Sequence, residues 1–96
     1  MTDSAVEPSL PPADEAAVRR HADELRALAA RHGISQLRFA SAGRLVGRVD
    51  EDRDAFDAAD FEVAARQLLG ADVGLFSDRV LNNEHVSPDL VAALPV

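Results

Sequence analysis

Apolar residues recur at helical spacing over two stretches of this chain, with shorter apolar runs between and after them. From about Ala13 to His32, Val18, Ala22, Leu25, Leu28 and Ala29 fall three and four residues apart and form one stripe. Arg19, Arg20, Asp23, Glu24 and Arg26 face elsewhere. Pro11-Pro12, then Asp14 and Glu15, suit the first turn of this helix, and Gly33 suits its end, with Ile34 folding back on the last turn. A second stripe of Phe61, Ala64, Ala65 and Leu68 predicts a helix over 58–69, with Asp57 or Asp60 as cap and Gly70 as stop.

Strand readings fill the gaps. Gln36 to Ala40 reads as a strand with Leu37 and Phe39 on one face, and Ala40 to Gly43 as a tight turn of small residues. Leu45 and Val46 read as a short helical or irregular connection that Gly47 ends. Val73, Leu75 and Phe76 predict another strand. Ser77 to Val86 reads as a polar connection. Ser87-Pro88-Asp89 predicts a last short helix, with Ser87 as N-cap and Leu90, Val91 and Leu94 packing back on the sheet.

Composition narrows what such a chain does. Its 96 residues suffice for one core, expected over 13–96 behind a loose, Pro-rich tail at 1–12. Alanine supplies much of the 47% apolar content and Trp and Tyr are absent, which favours a small Ala-packed core over an aromatic sandwich. A net charge of −7 disfavours nucleic acid and anionic lipid and suits a basic protein partner. With no Cys, disulfides and thiolate metal sites are excluded. There is no long apolar run and no signal-like N-terminus, so a soluble, cytoplasmic protein is expected.

The chemistry concentrates in LRFASAGRLVGRVDEDRD, Leu37 to Asp54. Ser41 in the small-residue turn is followed by ten residues and then by Asp52-Arg53-Asp54. Such a turn offers backbone N–H groups to phosphate oxygens, and two carboxylates on one face of a strand can share a hard cation. Plainer roles fit the same residues. Asp52 and Asp54 suit a solvated acidic loop, Ser41 a turn hydroxyl, and Arg44 a surface pair with Asp50 or Glu51.

The spacing resembles the minimal nucleotidyltransferases of the polymerase-beta type, whose signature is Gly-Ser, ten residues, Asp-x-Asp. Phe39, Ser41, Arg44, Asp52 and Asp54 fall in register with it, while Ala40 stands at the Gly position. The resemblance implies an α/β (α+β) fold, with a small mixed sheet of about three strands flanked by helices. It also places the second strand at Asp50 to Asp57, although that acidic stretch has poor strand propensity. It implies that Asp52 and Asp54 hold Mg2+ as catalytic metal ligands and that Ser41 and Arg44 bind ATP. These groups would then converge at one end of the sheet. A third carboxylate is usual in a Val-Asp-Leu context, but here Val73-Gly74-Leu75 leaves it out, and Asp72 lies one pleat away.

Three functions follow as expectations. Relatives of this size are often encoded beside a small toxin, so the first is an antitoxin-type protein that neutralises a basic toxin. The changes at positions 40 and 74 favour neutralisation by binding over AMP transfer. The second is an active Mg2+-dependent nucleotidyltransferase acting on a partner protein. The third is a non-catalytic acidic interaction module. A homo-oligomer stays open under all three.

Overall fold

A computed structural model describes residues 10–52 and 55–96. Helix α1 (Glu15–Arg20) starts at Asp14, whose carboxylate accepts the Ala17 N–H at 2.8 Å. This N-cap lies two residues beyond the Pro11-Pro12 start read from the sequence. The expected single helix is interrupted at His21 and continues as α2 (Ala22–Arg31). Gly33 then takes φ +70, the left-handed conformation that ends a helix, and the chain enters β1 (Ile34–Ser41).

The second strand is not where the carboxylate spacing put it. Strand β2 is Arg44–Val49, and the chain from Ala55 is already α3 (Ala55–Leu69). Local physics explains the shift. Gly43 at φ +77 closes a two-residue turn, so that Ser41 pairs directly with Arg44. Leu45 and Val46 then bury on opposite faces, whereas the stretch Asp50 to Asp57 is dominated by acidic residues. The stretch read as a short helical or irregular connection is thus one of the two inner strands of the sheet.

Strand β3 (Gly74–Ser77) follows α3 and runs parallel to β2. A 3-10 turn (Asp78–Asn82) leads to α4 (Pro88–Val91) and to β4 (Leu94–Pro95). The sheet order is β3-β2-β1-β4, with β1 antiparallel to both neighbours. It is mixed, as expected, but has four strands. Ser87 stands at the N-cap of α4 but makes no side-chain cap bond. Leu90 is buried there, whereas Val91 and Leu94 are exposed, contrary to the expectation for those two.

Val18, Leu25, Ile34, Leu37, Leu45, Phe61, Ala65 and Val73 form the core between the α1–α3 layer and one face of the sheet. Burying a large apolar side chain of this kind stabilises by about 1.5–3 kcal/mol. At the chain start, Pro12 bridges to Asp72, the Asp72 N–H donates to Pro11 O, and the Ala13 N–H donates to Asp72 O. Strand β1 carries a bulge between Ser35 and Arg38, where Gln36 adopts φ +52. No helix among the described residues is long and apolar enough to cross a membrane.

Gly47 is required for close packing. A Cβ there would stand 2.7 Å from Ile34 Cγ2. Gly47→Ala is expected to destabilise by about 1–3 kcal/mol in urea unfolding. Ile34→Ala in the same chain should recover about 1 kcal/mol of that relative to simple addition, and strict additivity would show that this contact is not the cause.

Candidate functional site

The turn between β1 and β2 gathers two of the four residues singled out from the sequence. Ser41 ends β1 and Arg44 opens β2, and the two are cross-strand partners. Both reach a carboxylate that the sequence did not suggest. Ser41 Oγ donates to Asp89 Oδ2 at 2.7 Å, and an Arg44 guanidinium nitrogen lies 3.3 Å from the same oxygen. The guanidinium also lies over the Phe76 ring, 4.9 Å from its centroid. Asp89 belongs to the first turn of α4, 48 residues beyond Ser41. A hydroxyl and a guanidinium backed by an aromatic face thus hold one oxyanion, and that oxyanion is the chain's own.

The backbone of the turn is committed as well. The Gly43 N–H donates to Ala13 O at 2.8 Å, and Gly43 O accepts the Gly74 N–H at 2.9 Å. Ala40 lies inside β1 and is not among the positive-φ residues, so a glycine is not required there.

Gly74 stands where the resemblance implies a third carboxylate, and its partner on β2 is Arg44. A cation therefore neighbours that position. Glu62 of α3 comes close instead. Its Oε2 accepts the Leu75 N–H at 2.7 Å and lies 3.5 Å from where a Cβ on residue 74 would stand. Asp72 is occupied elsewhere, 3.0 Å from Arg66 Nε.

Asp52 does not join this cluster. Asp52 lies in the turn beyond β2, where it is exposed, and Asp54 lies outside the described residues. Ser41 is at the Arg44 end of β2, whereas the Asp50 N–H donates to Gly33 O at the Val49 end. Those ends are roughly 16 Å apart at 3.3 Å per residue. The expected convergence of Asp52 with Ser41 and Arg44 at one end of the sheet is therefore not seen. Asp52 lines an open cleft of about 610 Å3 with Arg48, Asp50, Glu51, Asp78 and Arg79, where Arg79 reaches Glu51 at 3.5 Å.

Magnesium demands several oxygens in near-octahedral array, commonly carboxylates plus phosphate. At the turn, the described side chains are a hydroxyl and a guanidinium already bonded to Asp89, and they do not fit that ion. Among the described residues no group of three or more His, Asp or Glu gathers as a metal site.

No family model and no curated protein matches this chain. A solved structure described as a "putative minimal nucleotidyltransferase" does match. It is 25% identical, with a TM-score of 0.66, over 86% of this chain and 96% of that one. The fold is that of a minimal nucleotidyltransferase. Within that fold, Arg44 and Gly74 sit side by side on the two parallel strands, and Asp89 pairs with Arg44.

Sequence reasoning missed Asp89 and Glu62. Asp89 was legible only as an acidic residue in a helical first turn. Nothing in the sequence ties it to a strand end. The hairpin had a signal: Ala42-Gly43 followed directly by Arg-Leu-Val-Gly-Arg-Val. The clasp itself is testable. A double-mutant cycle on Ser41→Ala and Asp89→Ala is expected to give a coupling of about 1 kcal/mol, as a charge-assisted bond in a half-exposed setting. A coupling near zero would show that the hydroxyl and the carboxylate do not interact in solution.

Proposed function

We propose that this chain is an antitoxin-type protein that uses a nucleotidyltransferase-like fold to bind a partner rather than to transfer a nucleotide. One observation carries the reading. Arg44 and Gly74 occupy adjacent positions on the parallel strands, and the anion held by Ser41 and Arg44 is Asp89. Transfer of a nucleotidyl group relies on metal-bridged phosphates and closely positioned carboxylates. Here the nearby carboxylates are committed to protein donors, Asp89 to Ser41 and Arg44, and Glu62 to the Leu75 N–H. A phosphate reaching Ser41 and Arg44 has first to displace a tethered competitor.

The charge balance supports the kind of partner. A chain with net charge −7 attracts a basic surface, and complementary fields accelerate encounter and fix orientation. A toxin that handles RNA presents such a surface. In this reading the partner is a small basic protein encoded nearby, and neutralisation comes from covering it, without ATP or Mg2+. The competing reading, AMP transfer through Asp52 and Asp54, remains distinct in what it requires of the chain.

Two measurements separate them. Titration of ATP with Mg2+ into the protein is expected to release no binding heat. Magnesium-dependent heat that Asp52→Asn abolishes would instead establish the transfer reading. Co-expression with the product of the adjacent reading frame is expected to yield a complex that weakens as salt rises. A neighbour that never associates, even at high concentration, would refute the antitoxin role.

A further inference from the structure

The helical layer carries a groove that no part of the described chain fills. It runs between α2 and α3, has a volume of about 330 Å3, and is lined by Glu24, Ala27, Leu28, Arg31, Ala64 and Leu68. Small side chains make it shallow and let another backbone approach closely.

The charges at the rim identify the occupant. Glu24 and Arg31 are seven residues apart on α2, about 10.5 Å along the axis, too far to pair with each other. The Glu24 carboxylate lies 3.0 Å from His21 Nδ1. Arg31 has no ion-pair partner among the described residues. The midpoint between the two charges falls on Ala27 and Leu28, the apolar residues that α2 gives to the groove. A twofold axis through that midpoint, perpendicular to α2, lays the helix antiparallel on its own copy. Glu24 then faces Arg31 of the second copy, Arg31 faces Glu24 of the second copy, and the small apolar residues meet at the centre.

We propose that this groove is a self-association surface through which two copies of the chain form a twofold dimer. The pattern has the self-complementarity that an isologous interface requires, because each residue of the patch meets its own complement. Burial of Leu28, Leu68, Ala27 and Ala64 drives association. The rim pairs are exposed, so they set register more than affinity. The net charge of −7 per chain opposes pairing at low ionic strength, and salt relieves that repulsion. The inference does not depend on the antitoxin reading, since it concerns a different face of the molecule.

Sedimentation equilibrium of the full chain at physiological salt tests it. Mass is expected to rise with concentration toward that of two chains. Glu24→Arg alone and Arg31→Glu alone are each expected to weaken the dimer roughly tenfold, through two like-charge contacts. The double variant E24R/R31E restores both pairs and is expected to return to within about twofold of the parent. Crosslinking gives a readout that does not depend on affinity. The chain has no Cys, so A27C, placed near the axis, should form a disulfide dimer under mild oxidation. S35C, exposed on β1 in the cleft on the other side of α2, should not. Circular dichroism confirms that each variant is folded. A chain that stays monomeric at every concentration, a double variant that fails to recover, or equal crosslinking of A27C and S35C would overturn the proposal and leave the groove to a different protein.

Discussion

Gly43 joins three parts of the chain through its own backbone. Its N–H binds the carbonyl of Ala13 and its carbonyl receives the N–H of Gly74, while its φ of +77 turns β1 into β2. A side chain here meets two penalties, because the left-handed conformation disfavours a Cβ and Pro12 Cβ would lie 3.1 Å away. The lead into α1, the β1–β2 hairpin and the first residue of β3 are all registered by this one peptide. The pairing of Arg44 with Gly74 follows from it, and so does the placement of Ser41 beside Arg44.

That registration decides what the turn can do. In a phosphate-binding turn, free N–H groups point at the ligand. Here the glycine N–H is spent inside the fold, and the remaining donors, Ser41 and Arg44, converge on Asp89. A carboxylate supplied from within the chain has a high effective concentration. It therefore competes with any free anion for the same donors. The acids after β2 form a separate region at the opposite end of the strand, where Arg48 and Arg79 lie among them.

The helices were legible because periodicity reports burial directly. Val18, Leu25, Ala29, Phe61 and Ala65 were read as apolar faces, and they are buried. The glycine stops at 33 and 70 were legible too, since both take the left-handed conformation that helix ends favour. The second strand was misplaced because a spacing between Ser41 and two acids outweighed local propensity. Leu45, Val46 and the turn before them had the better physical claim. Strand β4 is two residues long and contains Pro95, too little pattern to notice. The Ser41–Asp89 contact spans 48 residues and depends on how α4 folds back over the sheet, which no local pattern encodes.

The borders of the sheet bear on how this protein meets others of its kind. On one side, β1 is kinked by the left-handed Gln36, and its outer neighbour is a two-residue strand containing a proline. On the other, the Glu62 carboxylate takes the Leu75 N–H of β3. Strand-by-strand growth into fibrils needs a straight border with open donors and acceptors, and both borders here are blunted. The fold is thus guarded against amyloid-like stacking, and its helices are left as the surface through which it can assemble.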